Sequence, residues 1–255
     1  MGLERNSHPC PDCAGEALLP RRLFHGARDM MPRHVHRQAF AAVVLSGDYV
    51  EAGDSGRHRV SAGQVIFHAA YEKHLDQFGL KDVEVLVLPI PLTWGGPVLA
   101  SLKDPDVVAR VAERDATEAL TELLASMVEE TAVVQDWPDL LASDLRQDPE
   151  LSLREWSRKH GLHPGSVSRG FRQLFGITPV EFRSVSRSRK AMQHLVKLPL
   201  GEVAAASGFA DQSHMSRVLK RQTGLSPLSL KMDLAADSFD ECAAQLRLGS
   251  SRHPV

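Results

Sequence analysis

Four histidines in the first third of the chain stand where they could do chemistry: His34 and His36, one residue apart, then His68 and His74. Side chains alternate across a strand with period two, so His34-Val-His36 on a strand turns both imidazoles to one face. Joined by His74 from a neighbouring strand, His34 and His36 could form a divalent-metal shell. The same residues with His68 could instead line a pocket for an organic ligand, or satisfy local hydrogen bonds with no ligand role. All three readings stand open. His8, Cys10 and Cys13 form half of a tetrahedral zinc shell; Cys-x-x-Cys also suits a redox pair, and a plain N-terminal arm is the third reading.

A second set of residues carries a different chemistry. Leu153, Gly161, Arg169, Gly176 and Pro179 recur as Leu200, Gly208, Arg217, Gly224 and Pro227, 47 residues on for the first two and 48 for the rest. The slip of one falls in a turn, where an insertion is best tolerated. Each copy reads as a helix, a glycine turn and a second helix, near 164–175 and near 211–222. That is the layout of a helix-turn-helix, whose second helix enters the major groove. The candidate DNA contacts are Gly165, Ser166, Ser168, Arg169 and Arg172 on one helix. On the other they are Gln212, Ser213, His214, Ser216, Arg217 and Lys220. Arginine suits guanine O6/N7 and glutamine suits adenine N6/N7. Arg172 and Lys220 suit phosphate, which adds affinity without sequence information. Val167, Phe171, Leu174, Met215 and Leu219 fall on the apolar sides.

Charge divides along the same line. Residues 150–232 hold 14 basic and 5 acidic side chains, a net of +9, whereas the remainder holds 16 and 27, a net of −11. A basic module beside an acidic one points to a polyanion partner for the basic part. Hydrophobic content of 43% and charged content of 24% are ordinary for a globular protein. No run approaches the ~20 apolar residues of a membrane span. The polar N-terminus lacks a signal-peptide core, and three cysteines are too few for a disulfide framework. The expected location is the cytoplasm, with no membrane partner.

The elements that must position these residues are legible in outline. Short β-rich runs at Ala41–Leu45, Asp48–Val60, Gly63–Ala69 and Val83–Ile90, broken by glycine turns, predict a barrel or sandwich. Pro89 and Pro91 are expected to end the last strand. Asp104-Pro105 opens a helical stretch whose apolar stripe runs from Val107 to Val128, packing on its own barrel or on a second copy. Thr178, Pro179 and Glu181 read as a capping box starting a connecting helix to about Val196. Its Arg183, Arg187, Arg189 and Lys190 could be solvated, pair with acids or touch phosphate.

Two resemblances follow. His34-Val-His36, the turn at Gly47 and Gly63–His74 resemble the two short motifs of the cupin barrel. In that family the paired His, a following Glu and the last His bind a metal; here the acid is expected near Phe40–Ala41, where none stands. Leu153–Lys231 resembles the DNA-binding domain of the AraC/XylS family of transcription regulators. The residues that carry it include Gly161, Ser168-Arg169, Phe171, Phe175-Gly176, Pro179, Arg189, Gly208-Phe209, Asp211, Ser213-His214, Ser216-Arg217, Lys220 and Gly224. The family often has larger residues where this chain has Pro164-Gly165-Ser166, which shifts the expected specificity towards the second reading helix.

The expectation is a multidomain β + α protein: a cupin-like β-barrel with a helical hairpin, then an all-α double helix-turn-helix. Its divisions are an arm over 1–19, a sensor barrel over 20–100, a helical dimerisation or packing segment over 101–135, the DNA-binding domain over 136–235 and a tail over 236–255. The resemblance implies a non-enzymatic regulator whose partners are promoter DNA, a small-molecule effector, RNA polymerase and a second copy of the chain. The cofactor reading is open between none and a divalent metal in the barrel. The competing readings are a metal-dependent cupin enzyme and a zinc or redox sensor, each fused to a DNA-binding module.

Overall fold

The computed structural model describes residues 19–91, 95–130 and 136–235. His8, Cys10, Cys13 and the 236–255 tail lie outside the described residues.

The N-terminal half is two antiparallel sheets. Its strands are β1 (Arg21–His25), β2 (Met30–Val35), β3 (Phe40–Ser46), β4 (Asp48–Gly53), β5 (Gly56–Ser61), β6 (Gln64–His68), β7 (Lys73–Phe78), β8 (Val83–Pro89), β9 (Leu99–Leu102) and β10 (Met127–Glu129). The larger sheet runs β1-β8-β3-β6-β9-β10, and the smaller runs β2-β7-β4-β5. The apolar run 41–44 is explained by burial on both faces. Phe40, Ala42 and Val44 join Tyr49, Val60, Ile66 and Phe78 between the sheets. Ala41 and Val43 face outward, where Val108, Ala109, Ala119 and Leu123 cover them.

Those four covering residues belong to α1 (Pro105–Ala112) and α2 (Ala116–Ser126). Asp104 caps α1 by accepting from the Val107 amide, and Asp115 caps α2 by accepting from Thr117 and Glu118. The apolar stripe thus packs on its own sheet. It ends sooner than its periodicity predicts: Met127–Glu129 is β10, bonded to β9. The strand β9 was itself unforeseen, because Pro89 and Pro91 end β8 but the chain returns beside β6. The free edge of β9 offers unpaired backbone groups, and the Met127–Glu129 segment satisfies them as a strand rather than as a last helical turn.

The C-terminal half is all helical: α3 (Trp137–Gln147), α4 (Leu153–Lys159), α5 (Pro164–Phe175), α6 (Pro179–Leu195), α7 (Leu200–Ala206) and α8 (Gln212–Thr223). Two cores divide it. Trp156, Val167, Phe171, Phe175 and Phe182 centre the first, and Ala191, Leu195, Val203, Met215, Val218 and Leu219 the second. The connecting helix α6 serves both, Phe182 from its first turn and Leu195 from its last. At 17 residues it is about 25 Å long.

The capping box at the start of α6 is formed in full. The Glu181 amide donates to the Thr178 hydroxyl oxygen at 3.3 Å, and the Thr178 amide donates to the Glu181 carboxylate at 2.8 Å. Thr178→Ala is expected to cost about 1 kcal/mol in chemical denaturation. The Thr178 backbone and hydroxyl hold the Glu181 carboxyl below the usual range. A depressed acid stabilises above its unfolded pKa and loses that contribution as pH falls through its folded pKa. The wild-type advantage over the variant should therefore shrink in acid.

Candidate nucleic-acid interface and histidine cluster

Each helix-turn-helix is built from local chemistry. The turn between α4 and α5 passes through Gly161 at φ 65°, and that between α7 and α8 through Gly208 at φ 74°, a left-handed backbone open to glycine at little cost. His163 caps α5, its Nδ1 accepting from the Gly165 amide at 3.2 Å. Asp211 caps α8, accepting from His214 at 2.7 Å. Gly170 on α5 allows Trp137 of α3 to lie against the helix, since a Cβ there would stand 2.7 Å from the indole. No sequence signal distinguished Gly170 from a surface glycine.

Val167, Phe171, Met215 and Leu219 are buried, as their helical phase predicts, and this fixes what the other faces present. Ser166, Ser168, Arg169 and Arg172 stand exposed on α5, with Gly165 half-buried. On α8, Gln212, Ser213, Arg217 and Lys220 stand exposed, while His214 and Ser216 are half-buried. Ser213, Arg217 and Lys220 form one stripe at i, i+4 and i+7. The His214 ring meets the edge of Phe209 at 5.5 Å, and the Ser216 hydroxyl donates to the Gln212 carbonyl at 2.8 Å. These two are engaged with their own unit, so Gln212, Ser213, Arg217 and Lys220 are the outward set.

The arginines of α6 have structural partners. Arg183 donates to the Leu151 carbonyl at 2.6 Å, and Arg187 pairs with Glu150. Arg189 donates to the Ala70 carbonyl at 2.7 Å and lies 3.9 Å from Glu72, tying the helix to the β-domain. Lys190 remains exposed.

The β-domain and the helical half meet in both cores. Ala52 and Leu75 enter the first and Ala70 and Tyr71 the second. Arg33 of β2 is the pivot of the first contact. It pairs with Asp54 and donates to the carbonyls of Phe175, at 3.2 Å, and Ala52. Burial pushes the Asp54 carboxyl up to about 6, with Arg33 pulling the other way. Arg57 adds a fork onto Asp139 at 2.8 Å. Within Glu72, burial favours the neutral acid, but Arg189 and the amides of Ser55 and Ala69 outweigh it and hold the carboxyl below its ordinary value. Arg33, Asp54 and Glu72 escaped the sequence reading because an arginine or acid in a strand pattern looks like a solvated position, whereas for Arg189 pairing with an acid was one of the open readings.

The four histidines do come together. Ring centroids are 4.6 Å apart for His34 and His36, 4.4 Å for His34 and His74, and 4.5 Å for His68 and His74. His36, beyond the last residue of β2, is buried like His68 and His74; His34 is half-buried. The acid absent near Phe40–Ala41 is supplied by β4. Glu51 is 1% exposed, its carboxylate 3.4 Å from His68 Nε2 and 4.0 Å from His74 Nδ1. Burial pushes the His68 imidazole down to about 3 and His74 well below the histidine range, so both rings are neutral and keep a lone pair. Burial and then Asp76 push the Glu51 carboxyl well up, and burial pushes Asp76 up to about 8.

With this geometry in view, comparison with known proteins is specific for one half of the chain. Residues 156–232 match the family described as "Helix-turn-helix domain". Over 87 residues the chain is 32% identical to the arabinose operon regulatory proteins of Salmonella typhimurium and of Escherichia coli. The match covers 33% of this chain and 31% and 30% of those proteins, so the chain spans about a third of their length. Among solved structures, apo ToxT from Vibrio cholerae strain SCE256 resembles 85% of this chain at 12% identity and TM-score 0.41, with 97% of that chain covered. Two helix-turn-helix units on one connecting helix make the C-terminal half a bipartite DNA-binding domain. Over the matched residues this domain is similar to the arabinose operon regulatory proteins and carries the helix-turn-helix pattern of that family model. Among the described residues, no helix is long and apolar enough to cross a membrane.

Proposed function

We propose that the chain is a sequence-specific, DNA-binding transcription regulator whose promoter occupancy is set by a signal sensed in the β-domain. The observation that carries this reading is the pair of exposed helices α5 and α8, each behind a glycine turn and both fixed by α6. Two such helices joined by one connecting helix are suited to reading successive major-groove segments. α8 supplies most of the base discrimination through Gln212 and Arg217, because α5 opens with the small residues Gly165 and Ser166. Arg169 is its one long side chain suited to a base edge, while Arg172 and Lys220 hold phosphate. The expected partners are double-stranded promoter DNA, a small effector, RNA polymerase and a second copy of the chain. The regulator works in the cytoplasm, and no catalytic step is assigned to it.

The test is binding to duplexes that the purified chain selects from a random-sequence pool, across a salt series. Arg217→Ala should weaken binding by about 1–3 kcal/mol and relax preference at one base pair. Lys220→Ala should weaken all duplexes alike and reduce the salt slope by about 1. Selection of no duplex, or an Arg217→Ala protein that binds every duplex as wild type does, would sink the reading.

A further inference from the structure

We propose that Glu51, His68 and His74 form a binding site for one divalent transition-metal ion inside the β-domain, and that this ion is the signal the regulator senses. The second half of the proposal rests on the regulator reading above; the first half does not.

The site is built from three strands, Glu51 on β4, His68 at the end of β6 and His74 on β7. All three side chains are buried, at 1%, 1% and 4% exposure. One oxygen or nitrogen from each lies within 4.8 Å of the others. Neighbouring ligands on a tetrahedral ion with metal–nitrogen bonds near 2.1 Å stand about 3.4 Å apart. The Glu51 carboxylate is already 3.4 Å from His68 Nε2 and 4.0 Å from His74 Nδ1. Small side-chain rotations close the remainder.

Burial without partners is the second, independent observation. Among the described residues, Glu51 Oε1, His68 Nδ1 and His74 Nδ1 are buried polar atoms with no hydrogen-bond partner. Two of these unpaired atoms, Glu51 Oε1 and His74 Nδ1, face each other at 4.0 Å, and His68 presents Nε2 at 3.4 Å from the other Glu51 oxygen, so buried polar atoms that need a partner stand around one point. The rings touch, which fits a single ion between them better than a multi-carbon ligand. Two imidazoles and a carboxylate select zinc, nickel, cobalt or iron over magnesium or calcium, which prefer all-oxygen shells. His34, His36 and His74 form a second possible triad. Its outer member is half-exposed and its Nδ1 lies 2.9 Å from the Pro32 carbonyl, so the fully buried triad with the acid is the one assigned.

The route to DNA follows from the strand register. Glu51 pairs with Asp76, and the next rung pairs Ala52 with Leu75. Alternation turns Glu51 and His74 inward, while Ala52 and Leu75 turn outward into the core of the first helix-turn-helix. An ion that draws β4 and β7 together therefore acts on both sides of one sheet.

The experiment uses the full chain without an affinity tag, carrying Cys10→Ser and Cys13→Ser to remove the other zinc-binding candidates, after dialysis against chelator. Zinc titration is expected to give one ion per chain. Glu51→Gln and His68→Ala should each weaken binding at least tenfold, while circular dichroism and thermal unfolding show that the variants fold. Magnesium should not compete. Duplex affinity should change at least fivefold between ion-free and zinc-loaded protein, and the Glu51→Gln protein should lose that change. Failure to bind zinc, or binding lost in His34→Ala but intact in Glu51→Gln and His68→Ala, overturns the site. Zinc binding that leaves duplex affinity unchanged overturns the ion as signal. Failure to bind any duplex in either state overturns the regulator reading and leaves the metal site standing.

Discussion

Phe171→Ala is expected to cost about 3–5 kcal/mol and to dissolve the first helix-turn-helix while the second survives. Phe171 is fully buried, stacked on Phe175 at 4.4 Å and 12° and set edge-on against Phe182 at 5.4 Å. Truncation leaves a void bounded by two rings, each fixed by its own helix, so little can collapse into it. The residue joins the second α-helix of the unit to the start of α6, and its loss removes the seat that orients α5 on DNA. The second core, around Met215 and Leu219, contains none of these rings. Duplex binding should therefore weaken strongly yet keep the base preference supplied by α8. Trp137 and Trp156 line the damaged core, and their fluorescence should report its unfolding in denaturant. A loss below about 1 kcal/mol would show that the three rings are not what holds α5.

This cluster also shows why the helical half was legible and the β-domain less so. The core helices repeat at 3.6 residues, their turns need glycine, and their caps need a short polar side chain or a Thr–Glu pair. Gly161, Gly208, Asp211 and Thr178 therefore declare the elements locally. The boundaries of α5 and α6 fall where those signals put them. The β-domain is held by pairings far apart in sequence. β9 and β10 exist because an edge is available beside β6, which no window of sequence contains. Glu51 is the clearest case. An acid in Asp48–Gly53 reads as a strand position facing solvent, and only the fold brings it to His68, which lies 17 residues on. Arg33 was hidden in the same way, since its partners Asp54 and Phe175 are far off in sequence; for Arg189 an acid partner was among the open readings, and only the fold names it as Glu72.

Arg33→Met is expected to destabilise the chain by about 1–2 kcal/mol near neutral pH, because it leaves the buried Asp54 without its cation, so that its carboxyl must keep a proton. The Arg33 side chain is 13% exposed and that of Asp54 is 3%, so water does little to replace the lost partner. The carbonyl of Phe175 loses its donor too, and with it the polar link between β2 and the end of α5. The effect should depend on pH with a definite sign. In the wild type the Asp54 carboxyl is raised to about 6, above its unfolded value. A raised acid stabilises most below its unfolded pKa and loses that contribution as pH rises through the folded one. Removing Arg33 raises the carboxyl further. The variant's deficit should then be small at about pH 5, where Asp54 is protonated in both proteins, and grow as pH climbs past 6 towards the variant's own value. Adding Asp54→Asn to Arg33→Met should recover part of the stability at neutral pH, since the double variant leaves no buried carboxyl that must keep a proton. Urea denaturation of the three variants and the wild type at several pH values reads all of this. A deficit that stays flat across that range would mean that Arg33 acts through the Phe175 carbonyl and its own packing. The ion pair with Asp54 would then hold none of the contact between the β-domain and the DNA-reading helices.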